Sequence, residues 1–259
     1  MKRAIAIGLA LGLCLAAGAG QAAEKVRVKY SLDWVITGRH APWFTALDKG
    51  FYDEQGLSVE ISRGYGAFEG LNRIISGESH FNFADTASLV LGRSRGMKVK
   101  TVAVIYGQVD AVTYYNMQTP LLERDAARVG GVNVMVFADF GLQLYSNGIA
   151  VTEDHLKRNP DMIRRFVTAS VKGFRYAFEH PDEAVELLVK RHPIVNRALA
   201  KAEVEIVKDL VLSEEARQHG IGYISPERMQ ITRDIIAQAY NVKTEIPLED
   251  LYTNEFLPR

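Results

Sequence analysis

Between Ser31 and Gly50 the chain reads SLDWVITGRHAPWFTALDKG, which places Asp33, Trp34 and His40 in one short loop. An aspartate offers acceptors, an indole a flat apolar wall and an imidazole both a donor and an acceptor, a set suited to holding a small ligand. Tyr65 and Gly66 stand in a second loop, Arg63-Gly64-Tyr65-Gly66, and Asp85 follows the apolar run Phe81-Asn82-Phe83-Ala84. Asp33, Asp85 and Asp110 could supply paired carboxylates for acid/base work, although aspartates at strand ends also cap helices and form turns. No Gly-x-Ser-x-Gly elbow and no Gly-Lys-Ser/Thr phosphate loop accompanies them. His40, His80, His155, His180, His192 and His219 include no pair at i, i+4, so no metal site is expected.

Gly64 to Gly70 approximates the dinucleotide fingerprint, but its third glycine comes one residue late and Glu69 would oppose a pyrophosphate. The stretch reads instead as a structural turn or as a loop whose N–H groups and Tyr65 face a small ligand. No cofactor is predicted. Trp34, Tyr65 and Tyr114 lie in or beside loops, whereas Trp43 falls on a helix face and is expected in the core.

The elements around these residues follow a regular order. Val26, Val28, Tyr30 and Leu32 alternate with polar neighbours, as in a strand with one buried face. Helical signs begin near Pro42, whose fixed φ suits a first turn. Leu57 to Ile61 alternates again, Leu71, Ile74 and Ile75 mark a helix, and Phe81 to Ala84 reads as a third strand. Asp85 or Thr86 then caps a helix that precedes an apolar strand from Val99 to Ile105. Strand, helix, strand in so short a span predicts βαβ units and a parallel sheet. Asp33-Trp34, Gly64 to Gly66 and Asp85-Thr86 would then leave the sheet at the same edge, where open α/β sheets bind ligands.

The middle of the chain departs from this order. Val99 to Tyr106 runs into Gly107-Gln108-Val109-Asp110-Ala111-Val112 without the dozen or so residues that a parallel crossover needs. Either one long strand bends at Gly107, or a segment that separated two strands is missing. A short helix from Thr119 to Arg128 and a strand from Val132 to Phe137 follow. The final third is expected to be helical: a helix capped by Asn159, then Asp182 to Lys190, Leu199 to Glu215 and Ser225 to Tyr240. The tail from Pro247 would lie along the surface.

Of the 259 residues, the first carry Lys2 and Arg3, an uncharged apolar run to about Ala19 and small residues up to Ala23. This pattern predicts a secretory signal cleaved near Ala22 or Ala23 and a periplasmic product. Without that segment 29 basic residues face 31 acidic ones, a balance of −2 that favours neither nucleic acid nor anionic lipid. The single cysteine, Cys14, lies within the leader, so the mature chain has no thiolate nucleophile, disulfide or cysteine metal cluster.

The runs Asp33-Trp34 with His40-Ala41-Pro42, Lys49-Gly50-Phe51-Tyr52 to Val59, Gly64-Tyr65-Gly66, and Ser76-Gly77 to Asp85 resemble the thiamine-pyrimidine-precursor type of periplasmic solute-binding protein. That type lies within the nitrate, sulfonate and taurine binding group. The similarity resumes at Gly107 to Ala111 and at Ala138-Asp139-Phe140-Gly141, and runs to the closing Leu251 to Pro258. The resemblance implies an α/β, type II periplasmic-binding-protein fold of two lobes that closes on a ligand and delivers it to the membrane subunits of an ABC importer. It also implies that Asp33, Trp34, His40, Tyr65, Gly66 and Asp85 line the cleft from lobe one, with Asp110, Tyr114 and Tyr115 opposite.

The family has several dozen residues where this chain joins Tyr106 to Gly107, so an internal deletion is expected. It would leave residues 24–106 and 140–259 as lobe one and 107–139 as a reduced lobe two, which self-association could complete. The function expected is reception of a small nitrogenous or anionic solute, without catalysis. The alternatives are a pyrimidine-synthesising enzyme of the same fold, whose cysteine-rich motif is missing here, and a remnant with impaired binding.

Overall fold

The computed structural model describes residues 24–107, 141–242 and 245–258. The expected signal segment, the residues Asp110, Tyr114 and Tyr115, and the elements anticipated over 119–137 lie outside the described residues.

Strand β1 (Val26–Ser31) pairs in parallel with β2 (Leu57–Ser62), from Val26 opposite Leu57 to Ser31 opposite Ser62. On its other side β1 meets β3 (Phe81–Asp85), also in parallel. The connections are helical, as expected: α1 (Ala41–Asp48) and the short α2 (Phe51–Glu54) lead to β2, and α3 (Ala67–Ile75) leads to β3. After β3 come α4 (Thr86–Ser94) and β4 (Val99–Val104).

The sheet is parallel-rich, as expected, with one strand reversed. A fifth strand, β5 (Asn147–Thr152), lies antiparallel between β3 and β4, giving the order β2-β1-β3-β5-β4. Sequence periodicity carries no information about neighbours far along the chain, and this segment is brief and glycine-containing. Gly148 is required by the packing, because a Cβ there would come within 2.6 Å of the Ala103 carbonyl oxygen. Nor does β4 continue as a long strand through Gly107. It ends at Val104, and the Ile105 and Tyr106 N–H groups both donate to the Asn147 carbonyl, at 2.8 and 3.0 Å.

Helices fill most of the remainder: α5 (Glu153–Arg158), α6 (Pro160–Glu179), α7 (Pro181–Arg191), α8 (Arg197–Val211), α9 (Glu214–His219), α10 (Pro226–Ala239) and α11 (Leu248–Leu251). The helix expected from Leu199 to Glu215 is divided, since the Ser213 hydroxyl accepts the Ala216 N–H and begins a new helix. Asn159 does precede α6, but its amide meets His155 Nδ1 at 3.3 Å instead of capping the helix. The tail is not a surface strap: the Thr253 N–H donates to the Thr101 carbonyl at 3.0 Å and Phe256 is buried.

Helices cover both faces of the sheet. Against one face, α1 and α6 enclose an aromatic core in which Phe81 stacks on Phe166 at 4.1 Å and Trp43 meets Phe174 edge-on at 4.7 Å. Each fully buried phenylalanine contributes about 2–3 kcal/mol. The opposite face is smaller and packs Leu71, Leu89, Val90 and Val99 with Met229 of α10. The alternation of β5 serves both faces, with Ile149 and Val151 on the aromatic side and Ala150 on the other.

Candidate functional site

Strands β1, β2 and β3 are parallel, so the loops that follow them open at one sheet edge, and the antiparallel β5 begins at that same edge. The three expected sequence stretches therefore converge in space. Their side chains divide into two groups, one beneath the surface and one on it.

Beneath the surface lies Asp33, 5% exposed. Arg39, from the 3-10 turn Gly38–His40, grips its carboxylate with both terminal nitrogens, at 2.9 and 3.0 Å. Asn147 at the start of β5 donates to Oδ2 at 3.0 Å, and His40 Nε2 reaches Oδ1 at 3.1 Å. The Thr37 N–H donates to His40 Nδ1 at 3.1 Å, which fixes the ring proton on Nε2 and makes that nitrogen the donor to Asp33. Burial opposes ionisation of Asp33, but the Arg39 charge and the two side-chain donors outweigh it and hold the carboxyl well below its ordinary range. Burial, reinforced by the Arg39 charge, lowers His40 to about 4, so it is neutral at pH 7.

The Arg39 N–H donates to Glu203 of α8 at 3.0 Å, and the Arg39 carbonyl accepts from the Tyr106 hydroxyl at 3.3 Å. Burial raises the Glu203 carboxyl above its ordinary value. Gly38 sits so close to α8 that a Cβ would fall 2.3 Å from the Ala200 Cα. The loop after β1 is thus bolted down by charge and by contact. Asp33 and His40, anticipated as ligand contacts, have both oxygens and both ring nitrogens engaged within the chain, and His40 is fully buried.

On the surface stand Trp34, 47% exposed, and Tyr65, 62% exposed. Their loops are tied together: the Gly64 N–H donates to the Trp34 carbonyl at 3.0 Å and the Gly66 N–H to the Asp33 carbonyl at 2.9 Å. The glycine stretch is accordingly a structural turn that also presents Tyr65. Gly64 is needed because a Cβ would meet the Leu32 carbonyl oxygen at 2.1 Å, and Gly66 because its φ is +125°. The Arg63 guanidinium lies over the Tyr65 ring, 4.4 Å from its centroid. Asp85 pairs in register with Asn147 and caps α4, accepting from the Ser88 N–H at 2.6 Å and the Ser88 hydroxyl at 2.8 Å. Burial raises its carboxyl above the ordinary value.

Sequence reasoning missed Arg39, Asn147 and Glu203. Arg39 could have been found as a cation within the same loop as Asp33. Asn147 and Glu203 are 114 and 164 positions from their partners and carry no local signal. Among the described residues no group of three or more His, Cys, Asp or Glu side chains could hold a metal ion, and no described helix is long and apolar enough to cross a membrane.

The family model described as NMT1/THI5 like matches residues 37–108 and 101–184, more than half of the chain. The riboflavin-binding protein RibY of Chloroflexus aurantiacus is 28% identical over 162 residues, covering 61% of this chain and 45% of that protein, so the match spans less than half of the relative. The formylaminopyrimidine-binding protein of Halalkalibacterium halodurans is 19% identical over 263 residues, covering 74% of this chain and 79% of that protein. Among solved structures, a Candida albicans gene product with the generic periplasmic binding protein fold superposes with a TM-score of 0.61 at 16% identity, covering 91% of this chain and 98% of that one. The fold is the α/β, type II periplasmic-binding-protein fold with a parallel-rich sheet.

Proposed function

The chain belongs to the NMT1/THI5-like family of solute-binding proteins, and from that premise we propose that it is an exported receptor for a planar, nitrogen-rich small molecule, handed on to the membrane subunits of an ABC importer. The observation that carries this reading is the pairing of two exposed aromatic side chains, Trp34 and Tyr65, on loops that a saturated carboxylate cluster holds rigid. Exposed rings on an immobile frame offer stacking surface with little ordering cost. The two relatives named above are binding proteins for a flavin and for a substituted pyrimidine, both flat nitrogen heterocycles. A thiamine pyrimidine precursor is the narrowest version of this reading.

In this scheme Trp34, Tyr65, Gly66 and Asp85 meet the ligand directly, while Asp33 and His40 support the surface from below. Asp110, Tyr114 and Tyr115 would face it from residues 107–139, a reduced second lobe. Two observations support that reduction. The matched family segments meet at 101–108, the junction at which the sequence shows two strands without a crossover. In addition, 74% of this chain is about 192 residues, so about 70 positions of the 263-residue match to the formylaminopyrimidine-binding protein have no counterpart here.

A pyrimidine-synthesising enzyme is the less favoured reading, because Asp33 and His40, the acid and base nearest the aromatic walls, are committed to internal partners. A thermal-shift panel of pyrimidines, riboflavin, sulfonates and nitrate tests the proposal. Stabilisation by a heterocycle, diminished in Trp34→Ala, is expected. A cooperatively melting protein that responds to none of them would refute the receptor reading, and turnover of any would restore the enzyme.

A further inference from the structure

A pocket of about 910 Å³ opens at the sheet edge opposite the candidate cleft, between the C-terminal ends of α3 and α4, the start of β3 and the first turn of α5. No part of the proposed receptor function uses it. Its wall includes His80, Arg95, Lys98, Glu153, Asp154, His155, Lys157 and Arg158, and the way these groups are already paired defines what it could accept.

Both acidic side chains are taken: Glu153 is paired with Arg93, and Asp154 with Arg158. Arg95 is laid over the Phe68 ring at 5.0 Å and follows the C-terminus of α4, where a cation is favoured by the helix dipole. Lys98 and Lys157 have no acidic partner among the described residues. The two imidazoles are neighbours, with ring centroids 5.5 Å apart. His80 Nδ1 accepts the Lys29 N–H at 2.9 Å, which places the ring proton on Nε2. His155 Nδ1 faces the Asn159 amide, and with that amide donating its proton is also on Nε2, a buried atom with no partner among the described residues. The side-chain groups of this wall left without an acidic or hydrogen-bonding partner among the described residues include Lys98, Lys157 and His155 Nε2, and each of these is a donor.

We propose that the pocket is a second binding site, for a small multivalent anion of phosphate or carboxylate chemistry, held by Lys98, Lys157 and the Nε2 donors of His80 and His155. Such a ligand supplies the acceptor that His155 lacks and the counter-charge that the two lysines lack. In its absence burial, with positive neighbours, lowers both histidines, His155 to about 4. An anion beside them favours the imidazolium and raises both.

The test uses the full chain, titrated by calorimetry with pyrophosphate and with citrate, and followed by NMR of the imidazole nitrogens. Saturable binding of at least one probe is expected, together with upward shifts in the titration of His80 and His155. The double variant Lys98→Ala/Lys157→Ala, whose altered side chains are exposed and whose melting should match the parent, should bind on the order of tenfold more weakly. Trp34→Ala should leave this binding unchanged, which separates it from any ligand of the cleft. Pyrophosphate alone binding assigns phosphate chemistry, and citrate alone assigns carboxylate chemistry. Absence of saturable binding at millimolar concentration, equal affinity in the double variant, or histidine titrations that ignore the probe would each overturn the proposal.

Discussion

Asn147 donates from Nδ2 to Oδ2 of Asp33 at 3.0 Å, joining the first residue of β5 to the loop after β1 across 114 positions of sequence. The same asparagine accepts through its carbonyl from Ile105 and Tyr106 at the end of β4. One residue thus fixes three strand ends at the edge where the exposed aromatics stand. Asn147→Ala should leave Oδ2 short of a donor and cost roughly 1–3 kcal/mol, measured by urea denaturation. A variant as stable as the parent would show that this bond holds nothing in place.

Asp33→Asn tests the charge itself. It leaves the Arg39 guanidinium, almost fully buried, facing a neutral amide, and breaking a buried pair in this way costs roughly 3–5 kcal/mol. Ligand affinity should fall with it, because the loop bearing Trp34 loses its anchor. Loss of affinity in a variant of undiminished stability would instead mean that Asp33 touches the ligand.

Stability should decline as pH falls from about 6.5 toward 4. The folded-state value of His40 is depressed to about 4, so over this window the unfolded chain binds a proton that the folded chain refuses. At about 1.4 kcal/mol per pH unit, His40 alone accounts for roughly 3 kcal/mol. His155 acts in the same direction, whereas Glu203 and Asp85, whose folded values are raised, act in the opposite one near the carboxylate range. Asp33, held below its ordinary range, contributes stability that is lost only at still lower pH. Denaturation curves of His40→Gln, whose amide can still donate to Asp33, should show a shallower loss between pH 6.5 and 4; an unchanged slope would reject the assignment.

Gly64→Ala should be more damaging than Gly66→Ala. The first drives a Cβ into backbone at 2.1 Å, while the second meets open space and suffers only from its positive φ, a strain of roughly 1–3 kcal/mol. Thermal melts of the two variants compare them directly. The reverse order would mean that the loop after β1 yields readily and forms no rigid frame.

Trp34→Ala and Tyr65→Ala should change stability by no more than about 0.5 kcal/mol, since both rings are largely exposed. Each should nevertheless weaken ligand binding severalfold, as loss of a stacking partner worth about 1 kcal/mol requires. Calorimetry with whichever heterocycle gives a thermal shift measures this. Undiminished affinity in both variants would remove the aromatic walls from the mechanism.

Local order was legible in the residues themselves. The alternation of Val26, Val28 and Tyr30, the proline at the start of α1 and the cap at Asp85 all depend on neighbours within a few positions, and the βαβ order and the converging loops follow from them. The exposure of Trp34 and the burial of Trp43 were likewise implied by a loop and a helix face. What distance along the chain conceals is pairing. Only the tertiary structure could place β5 antiparallel between β3 and β4, or bring Asn147 and Glu203 to the loop after β1, because neither hydrogen bonding nor charge leaves a periodic trace at separations of 114 and 164 residues. Asp33 and His40 are satisfied mostly by neighbours within the same loop, and Asn147 completes the set from a distance, so both lie engaged beneath the surface on which Trp34 and Tyr65 stand exposed.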